Sequence, residues 1–205
     1  MHKAIKAIRE QRTFLLVKPD GVSRGLSGDI ISRIERVGLK IVGLKMLKAS
    51  EEKLNQHYPL EDTAWIEGIG VKSLSGFEGT GLSPDEFLES TEHAQIGRAI
   101  VQALVKYMQS GPVIAVVVEG TQAIDMIRKM TGNTLPFKAE LGTIRGDYSV
   151  DSPLIANTQN RPVHNIVHAS STPEEAQKEI SIWFKEEEIF SYKTAHEDIM
   201  YEKNY

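Results

Sequence analysis

Six consecutive apolar residues, VIAVVV at 113–118, constrain this chain more than any other stretch. A strand turns successive side chains to opposite faces, so an uninterrupted apolar run must be covered on both. The run predicts a central strand. Just ahead of it, Gly111-Pro112 stops a helix read over 98–110, RAIVQALVKYMQS. A second buried strand is read at 13–17, TFLLV, ended by the turn KPDG at 18–21. Ile30, Ile31, Ile34 and Val37 recur at helical spacing, and Gly38 suits the residue that closes such a helix. Residues 39–47 alternate like a half-buried strand, and Ser50-Glu51-Glu52 opens a short helix through His57 and Tyr58.

With a helix at 121–131, a strand at 164–168 (HNIVH) and a helix from Thr172-Pro173 to about Phe184, the order is β-α-β-α-α-β-α-β-α. Connections as short as 38–39 favour antiparallel strands. The pattern predicts an α/β chain of the α+β sandwich type, one sheet covered by helices. A single domain is expected over 1–205. Residues 59–99 interrupt it. GIGVKSLSGFEGTGLS is rich in glycine without a clean period, and reads as an insertion or lid, with a local helix opened by Ser83-Pro84-Asp85-Glu86. Residues 132–163 read as mostly irregular, and the charged, aromatic tail 185–205 is expected to wrap the surface.

Composition removes several classes of chemistry. The chain has no cysteine, so it has no disulfide, thiolate metal site or thiol nucleophile, and it suits a cytoplasmic compartment. No apolar run is long enough to span a membrane, and the basic start MHKAIKAIREQR lacks the apolar core of a secretory signal. A net charge of -4 makes nucleic-acid binding by bulk charge an unsuitable role, so an anionic ligand must meet a local cluster of cations.

Two histidines bound the HNIVH stretch. Pro162 and the β-branched Ile166-Val167 argue for a strand, which puts His164 and His168 on one face, roughly 13 Å apart at about 3.3 Å per residue. Ligand bonds of about 2 Å cannot join them through one metal ion. Packing or catalysis remain. Ala169-Ser170-Ser171 leaves room beside His168, Ser170 offers a hydroxyl, and Glu179 follows on the next helix. A carboxylate that accepts one ring N–H leaves the other nitrogen free as a nucleophile. Lys18 and Arg128 are ordinary surface charges taken singly, and Arg145, flanked by glycines, is less ordinary; together they form a candidate polyphosphate site. The glycines flanking Arg145 in GTIRGDY allow a close backbone approach to a ligand. Neither a P-loop nor a dinucleotide-binding glycine motif is present.

The segments TFLLVKPDGVSRGLSGDIISRIERVGLKIVGLKML, VKYMQSGPVIAVVVEG, GTIRGD and NIVHASS occur in this order. Together they resemble the nucleoside diphosphate kinase family over about three quarters of the chain. The resemblance implies a ferredoxin-like fold with a four-stranded antiparallel sheet, and reversible transfer of a terminal phosphate between nucleotides through a phosphohistidine. It implies His168 as the nucleophile, Lys18 on the phosphoryl group, Tyr58 steadying the site, and Ser170 and Glu179 assisting the histidine. Arg128, Thr134 and Arg145 would bind phosphates, Asn165 the sugar side, and Ile100 and Leu104 the base side; His57 would be structural. Mg²⁺ would be held mainly by the nucleotide phosphates, with no protein side chain as ligand. The partners implied are nucleoside di- and triphosphates, with loose base choice, and further copies of the chain: a homo-oligomer built from dimers, a hexamer first, a tetramer or dimer as alternatives. No nucleic-acid or membrane partner is implied.

Two departures from the family pattern are visible. Ala169-Ser170-Ser171 replaces the usual Gly-Ser-Asp, a change that is tolerable where the backbone φ is negative. Ile100 stands where the family usually stacks a phenylalanine on the base, which leaves Phe77 and Phe87 as candidates to supply a ring. A second extra stretch is read at 149–161. A binding module on the same scaffold, and a nucleic-acid binder using the sheet, are the competing readings; the second needs exposed aromatics on strands that here are nearly all aliphatic.

Overall fold

The computed structural model describes residues 3–201. Along the chain lie α1 (Lys3–Arg9), β1 (Gln11–Val17), α2 (Pro19–Ser23), α3 (Ser27–Arg36), β2 (Lys40–Leu47), α4 (Glu51–His57), α5 (Thr63–Leu74), α6 (His93–Gln109), β3 (Val113–Gly120), α7 (Ala123–Thr131), α8 (Ile144–Tyr148), α9 (Pro153–Thr158), β4 (Val167–Ala169), α10 (Pro173–Trp183) and α11 (Ala195–Tyr201). The four strands form one antiparallel sheet in the order β2-β3-β1-β4. VIAVVV lies inside β3, paired on both sides, and every one of its six side chains is buried.

Strand alternation divides the core into two halves. Leu15, Val17, Val116 and Val118 face Ile30 and Ile34 of α3 and Ile127 of α7. On the other face, Phe14, Leu16, Ala115 and Val117 meet Leu54 of α4, Met108 of α6 and Trp183 of α10. Each fully buried Val, Leu or Ile contributes about 1.5–3 kcal/mol, so β1 and β3 anchor the fold from both sides. Their ends then carry the functional groups on a rigid base.

The stretch 59–99 is more ordered than its sequence suggests. α5 occupies 63–74, and α6 starts at His93, ahead of the expected 98. Gly68 and Gly70 lower helix propensity in α5 by about 1 kcal/mol each, which hid the helix. Gly70 is there for packing. A Cβ on it would sit 2.1 Å from the carbonyl oxygen of His93, and one on Gly97 of α6 would sit 2.0 Å from that of Ile66. The helices cross where neither has a side chain. The expected helix after Ser83 is only a 3₁₀ turn at Pro84–Glu86, and the Ser83 side chain makes no cap.

Residues 132–163 are mostly irregular, as expected, but carry three short pieces of helix: a 3₁₀ turn at Pro136–Lys138, then α8 and α9. α9 docks on α5. Ser73 Oγ donates to Asn157 Oδ1 at 2.9 Å, and Asn157 Nδ2 donates to the Ser73 carbonyl at 3.2 Å, both groups buried.

HNIVH is not a five-residue strand. β4 begins only at Val167, because Ile166 adopts φ 69°. A β-branched residue rarely tolerates that region. It is held there by Asp20, whose Oδ2 accepts from the Ile166 N–H at 3.0 Å, and by its own carbonyl, which accepts from the Lys18 N–H at 2.8 Å. His164 and His168 therefore do not share a strand face. His164 instead stacks on Tyr107, ring centroids 4.7 Å apart. The tail does wrap the surface as expected: Phe190 N–H donates to the Val42 carbonyl at 2.7 Å, and Tyr192 Oη to that of Ile41 at 2.8 Å. Residues 202–205 of that tail lie outside the described residues.

Candidate active site

A cavity of about 290 Å³ opens at the end of β1, between β4 and the loop after α7; Lys18, Arg128, Thr134, Arg145, Asn165 and His168 line it. Lys18 follows β1 directly and stands at the N-cap of α2. Its ammonium donates to Asn165 Oδ1 at 2.7 Å. Burial pushes Lys18 down to about 8, nearby Arg145 adds to this, and Asp20 opposes it. Asn165 in turn donates through Nδ2 to the Thr134 carbonyl at 2.9 Å, which ties the cavity's two walls together.

Arg145 lies in α8 and is buried. Its guanidinium donates to three backbone carbonyls: Asn165 at 3.2 Å, Gly132 at 2.7 Å and Val167 at 2.8 Å. Burial, then Arg128, lowers it to about 10. No carboxylate pairs with Lys18, Arg128 or Arg145 among the described residues. Three cations with no anionic partner in one cavity form a site for an anion with several oxygens.

His168 sits in β4 with its side chain 23 % exposed. Its Nε2 lies 2.6 Å from Glu179 Oε1, and Ser170 Oγ donates to Glu179 Oε2 at 2.5 Å. Glu179 comes from α10, whose N-cap Thr172 accepts from the Glu175 N–H, the capping expected from sequence. Burial, followed by Lys18, keeps His168 well below its ordinary value, so the ring is neutral near pH 7. Burial raises Glu179, and neighbouring His57 opposes that. With Nε2–H directed at the carboxylate, Nδ1 keeps its lone pair. The arrangement is an oriented, neutral imidazole at the edge of a cationic pocket: a nucleophile for an electrophilic phosphorus.

The family model described as nucleoside diphosphate kinase matches residues 11–64 and 84–189. The chain belongs to the nucleoside diphosphate kinase family. The match skips 65–83, inside the 59–99 stretch, and runs unbroken through 149–161. Among relatives, the chain is 47% identical to a nucleoside diphosphate kinase of Pyrobaculum aerophilum, over 87% of this chain and 97% of that one. It is 39% identical to nucleoside diphosphate kinase B of Homo sapiens, over 94% and 97%. An NDP kinase crystal structure from Pyrobaculum aerophilum superposes with a TM-score of 0.83 at 45% identity, covering 89% of this chain and 100% of that one. The Borrelia burgdorferi enzyme, solved as a transition-state mimic with vanadate and ADP, gives 0.72 at 38% identity, covering 92% and 95%.

Of the residues that the kinase resemblance assigned, Lys18, Arg128, Thr134, Arg145, Asn165 and His168 converge on the one cavity, with Ser170 and Glu179 directly behind the histidine. Tyr58 lies one ring removed, edge-on to His57 at 4.8 Å. Ile100 lines a different cavity, and Leu104 packs against the core face formed by Phe14 and Leu16. Gly146 does not open a path to ligand; a Cβ there would strike the Glu140 carbonyl at 2.1 Å, so the glycine serves the tight α8 turn. Ala169 has no positive φ, so the methyl in place of the family's glycine causes no strain. Sequence reasoning missed Asp20. The KPDG segment read only as a turn, whereas Asp20 holds both the Ile166 N–H and Tyr107 Oη, the latter at 2.5 Å.

One set of metal-ligating groups occurs among the described residues: His57, His168 and Glu179, with ligand atoms within 4.8 Å of one another. These are the atoms already engaged in orienting His168. The residues named along the phosphate cavity include no carboxylate, so the protein's own contribution there is cationic.

Proposed function

We propose that this chain transfers the terminal phosphate of a nucleoside triphosphate to a nucleoside diphosphate through a phosphorylated His168. The supporting observation is the neutral imidazole on Glu179 beside three cations that lack an anionic partner. Nδ1 of His168 attacks the terminal phosphorus as the bond to the bridging oxygen breaks. The nucleoside diphosphate leaves, and a second diphosphate takes the phosphoryl group back by the reverse step. Lys18 follows the transferred group, while Arg128 and Arg145 hold the oxygens that remain. Phosphoryl transfer needs positioning and charge neutralisation more than covalent help, and these residues supply both. Glu179 stabilises the positive ring as the N–P bond forms, and Ser170 fixes that carboxylate.

Mg²⁺ belongs to this proposal as part of the nucleotide substrate: a cavity lined by cations suits a metal carried in on phosphate oxygens, where it neutralises charge. A cytoplasmic location fits the cysteine-free sequence. A homo-oligomer built from dimers, a hexamer first, is supported by exposed apolar side chains on the edge strand, Leu44 at 48% and Met46 at 59%, and by Leu141 at 86% in the loop before α8. Analytical ultracentrifugation tests it; a monomer at micromolar concentration would overturn it.

The deciding experiment is labelling with γ-³²P-ATP and Mg²⁺. An acid-labile, alkali-stable label is expected on the wild type, absent from His168→Asn, and released by a second nucleoside diphosphate. Absence of label with ATP still bound would reject the kinase.

A further inference from the structure

The stretch 149–161, which stood out in the sequence, is closed on itself by an ion pair. Arg161 Nη1 and Nη2 donate to the two oxygens of Asp151 at 2.5 and 3.0 Å, a fork on a carboxylate whose side chain is only 10% exposed. α9 lies inside this loop and is docked on α5 through the buried Ser73–Asn157 pair. The loop is therefore anchored at its base and along its length.

Its base also grips the segment that leads to His168. Asp151 Oδ2 accepts from the His164 N–H at 2.7 Å, and Ser149 Oγ donates to the His164 carbonyl at 2.8 Å. Both backbone groups of His164 are thus fixed from 149–151. Two residues on, Asp20 Oδ2 accepts from the Ile166 N–H at 3.0 Å. Asn165 stands between these two carboxylates, with its side chain on the Lys18 ammonium and the Thr134 carbonyl.

The segment needs holding from both sides. Ile166 sits at φ 69°, and the Val167 N–H donates to the Asn165 carbonyl at 2.7 Å. This is a tight three-residue turn, and a costly one for a β-branched residue. Strain of this kind persists only where the surroundings over-determine it. With the hold on His164 removed, the turn can relax from that end, and Asn165 no longer sets the position of the Lys18 ammonium.

Resting on the kinase reading, we propose that Asp151 is a positioning residue for phosphoryl transfer: by fixing His164 it aims Asn165, and through Asn165 the Lys18 ammonium, at the transferred group. The stretch 149–161 then serves the reaction from outside the phosphate cavity, which none of its residues lines.

The test is rapid-quench labelling of His168 from saturating ATP and Mg²⁺ on the wild type, Asp151→Ala and Asp151→Asn. Unfolding temperatures and the apparent ATP dissociation constant are measured alongside. Both variants take the negative charge from Arg161, so both are expected to melt lower than the wild type. Only asparagine keeps a carbonyl oxygen where Oδ2 meets the His164 N–H. Alanine is therefore expected to slow transfer about tenfold, and asparagine to stay within about threefold of the wild type, with smaller changes in the dissociation constant. Transfer by the alanine variant at the wild-type rate, no recovery by asparagine, or a loss confined to the dissociation constant would overturn the proposal. Should Asp151→Ala fail to fold, Ser149→Ala takes its place. Loss of the bond to the His164 carbonyl should slow transfer about threefold, and an unchanged rate overturns the proposal. A wild type that takes no label would instead reject the kinase reading, before any variant is compared.

Discussion

His57 and His168 stand edge to face, ring centroids 4.7 Å apart, and share one neighbour, Glu179 Oε1: 2.6 Å from His168 Nε2 and 3.3 Å from His57 Nδ1. The carboxylate serves only one of them. Trp183 Nε1 donates to His57 Nδ1 at 3.3 Å, so that nitrogen holds a lone pair and the proton sits on Nε2, which is buried without a partner. Of the two histidines, Glu179 therefore accepts from His168 alone. The second histidine is packing that defines where the carboxylate can point.

Replacing Glu179 with Gln tests this. An amide can offer N–H to His168 Nε2, which moves the ring proton to Nδ1 and blocks the nucleophile. Phosphorylation of His168, followed by rapid quench, is expected to slow about 10- to 100-fold, as for other carboxylate–histidine pairs. An unchanged rate would remove Glu179 from the orienting role.

Acid should destabilise the fold early. Burial pushes His57 down to about 3, so the unfolded chain binds a proton near its ordinary 6.5 that the folded chain refuses. The stability contributed is present above 6.5 and is lost as pH falls from there towards 3. The expected slope is about 1.4 kcal/mol per pH unit from this one group. Urea midpoints measured between pH 7.5 and 5 report it, and His57→Gln should flatten the decline.

Base should cost activity through Lys18. Lowered to about 8 by burial, its ammonium begins to lose its charge at mildly alkaline pH in the free protein. Bound phosphates hold the proton on. So kcat/KM is expected to fall above about pH 8 while kcat falls only at higher pH, and Lys18→Arg should shift the kcat/KM limb upward. A profile flat to pH 10 would separate Lys18 from phosphate binding.

The fold was legible where period and burial agree. VIAVVV is apolar at every position, and TFLLV at all but Thr13, because both faces of β3 and β1 are covered. Site residues such as Lys18 and His168 were legible through motif resemblance, since one lysine or histidine alone has an ordinary explanation. What stayed hidden follows from tertiary contacts. α5 gives Gly70 to a helix crossing and carries Gly68 besides, so it does not look helical. Ile166 breaks a strand that its β-branched side chain favours, because Asp20 pulls its N–H from a distant part of the chain. Tyr107 and His164, read as helix and strand residues, meet only in the fold.

The α5–α6 crossing gives the sharpest structural test, since two glycines two residues apart in one helix should respond oppositely to alanine. At Gly68 an added Cβ meets nothing within 4 Å. The substitution there removes helix-disfavouring freedom and is expected to stabilise by about 0.5–1 kcal/mol. At Gly70 the same methyl would lie 2.1 Å from the His93 carbonyl, backbone that cannot rotate aside. Gly70→Ala must push the helices apart, at a cost of about 1–3 kcal/mol. For a chain of this size each kcal/mol moves the unfolding temperature by roughly 2–4 °C, so the two variants should separate clearly by calorimetry. If both alanines moved stability in the same direction, the close crossing would not be what orders this stretch.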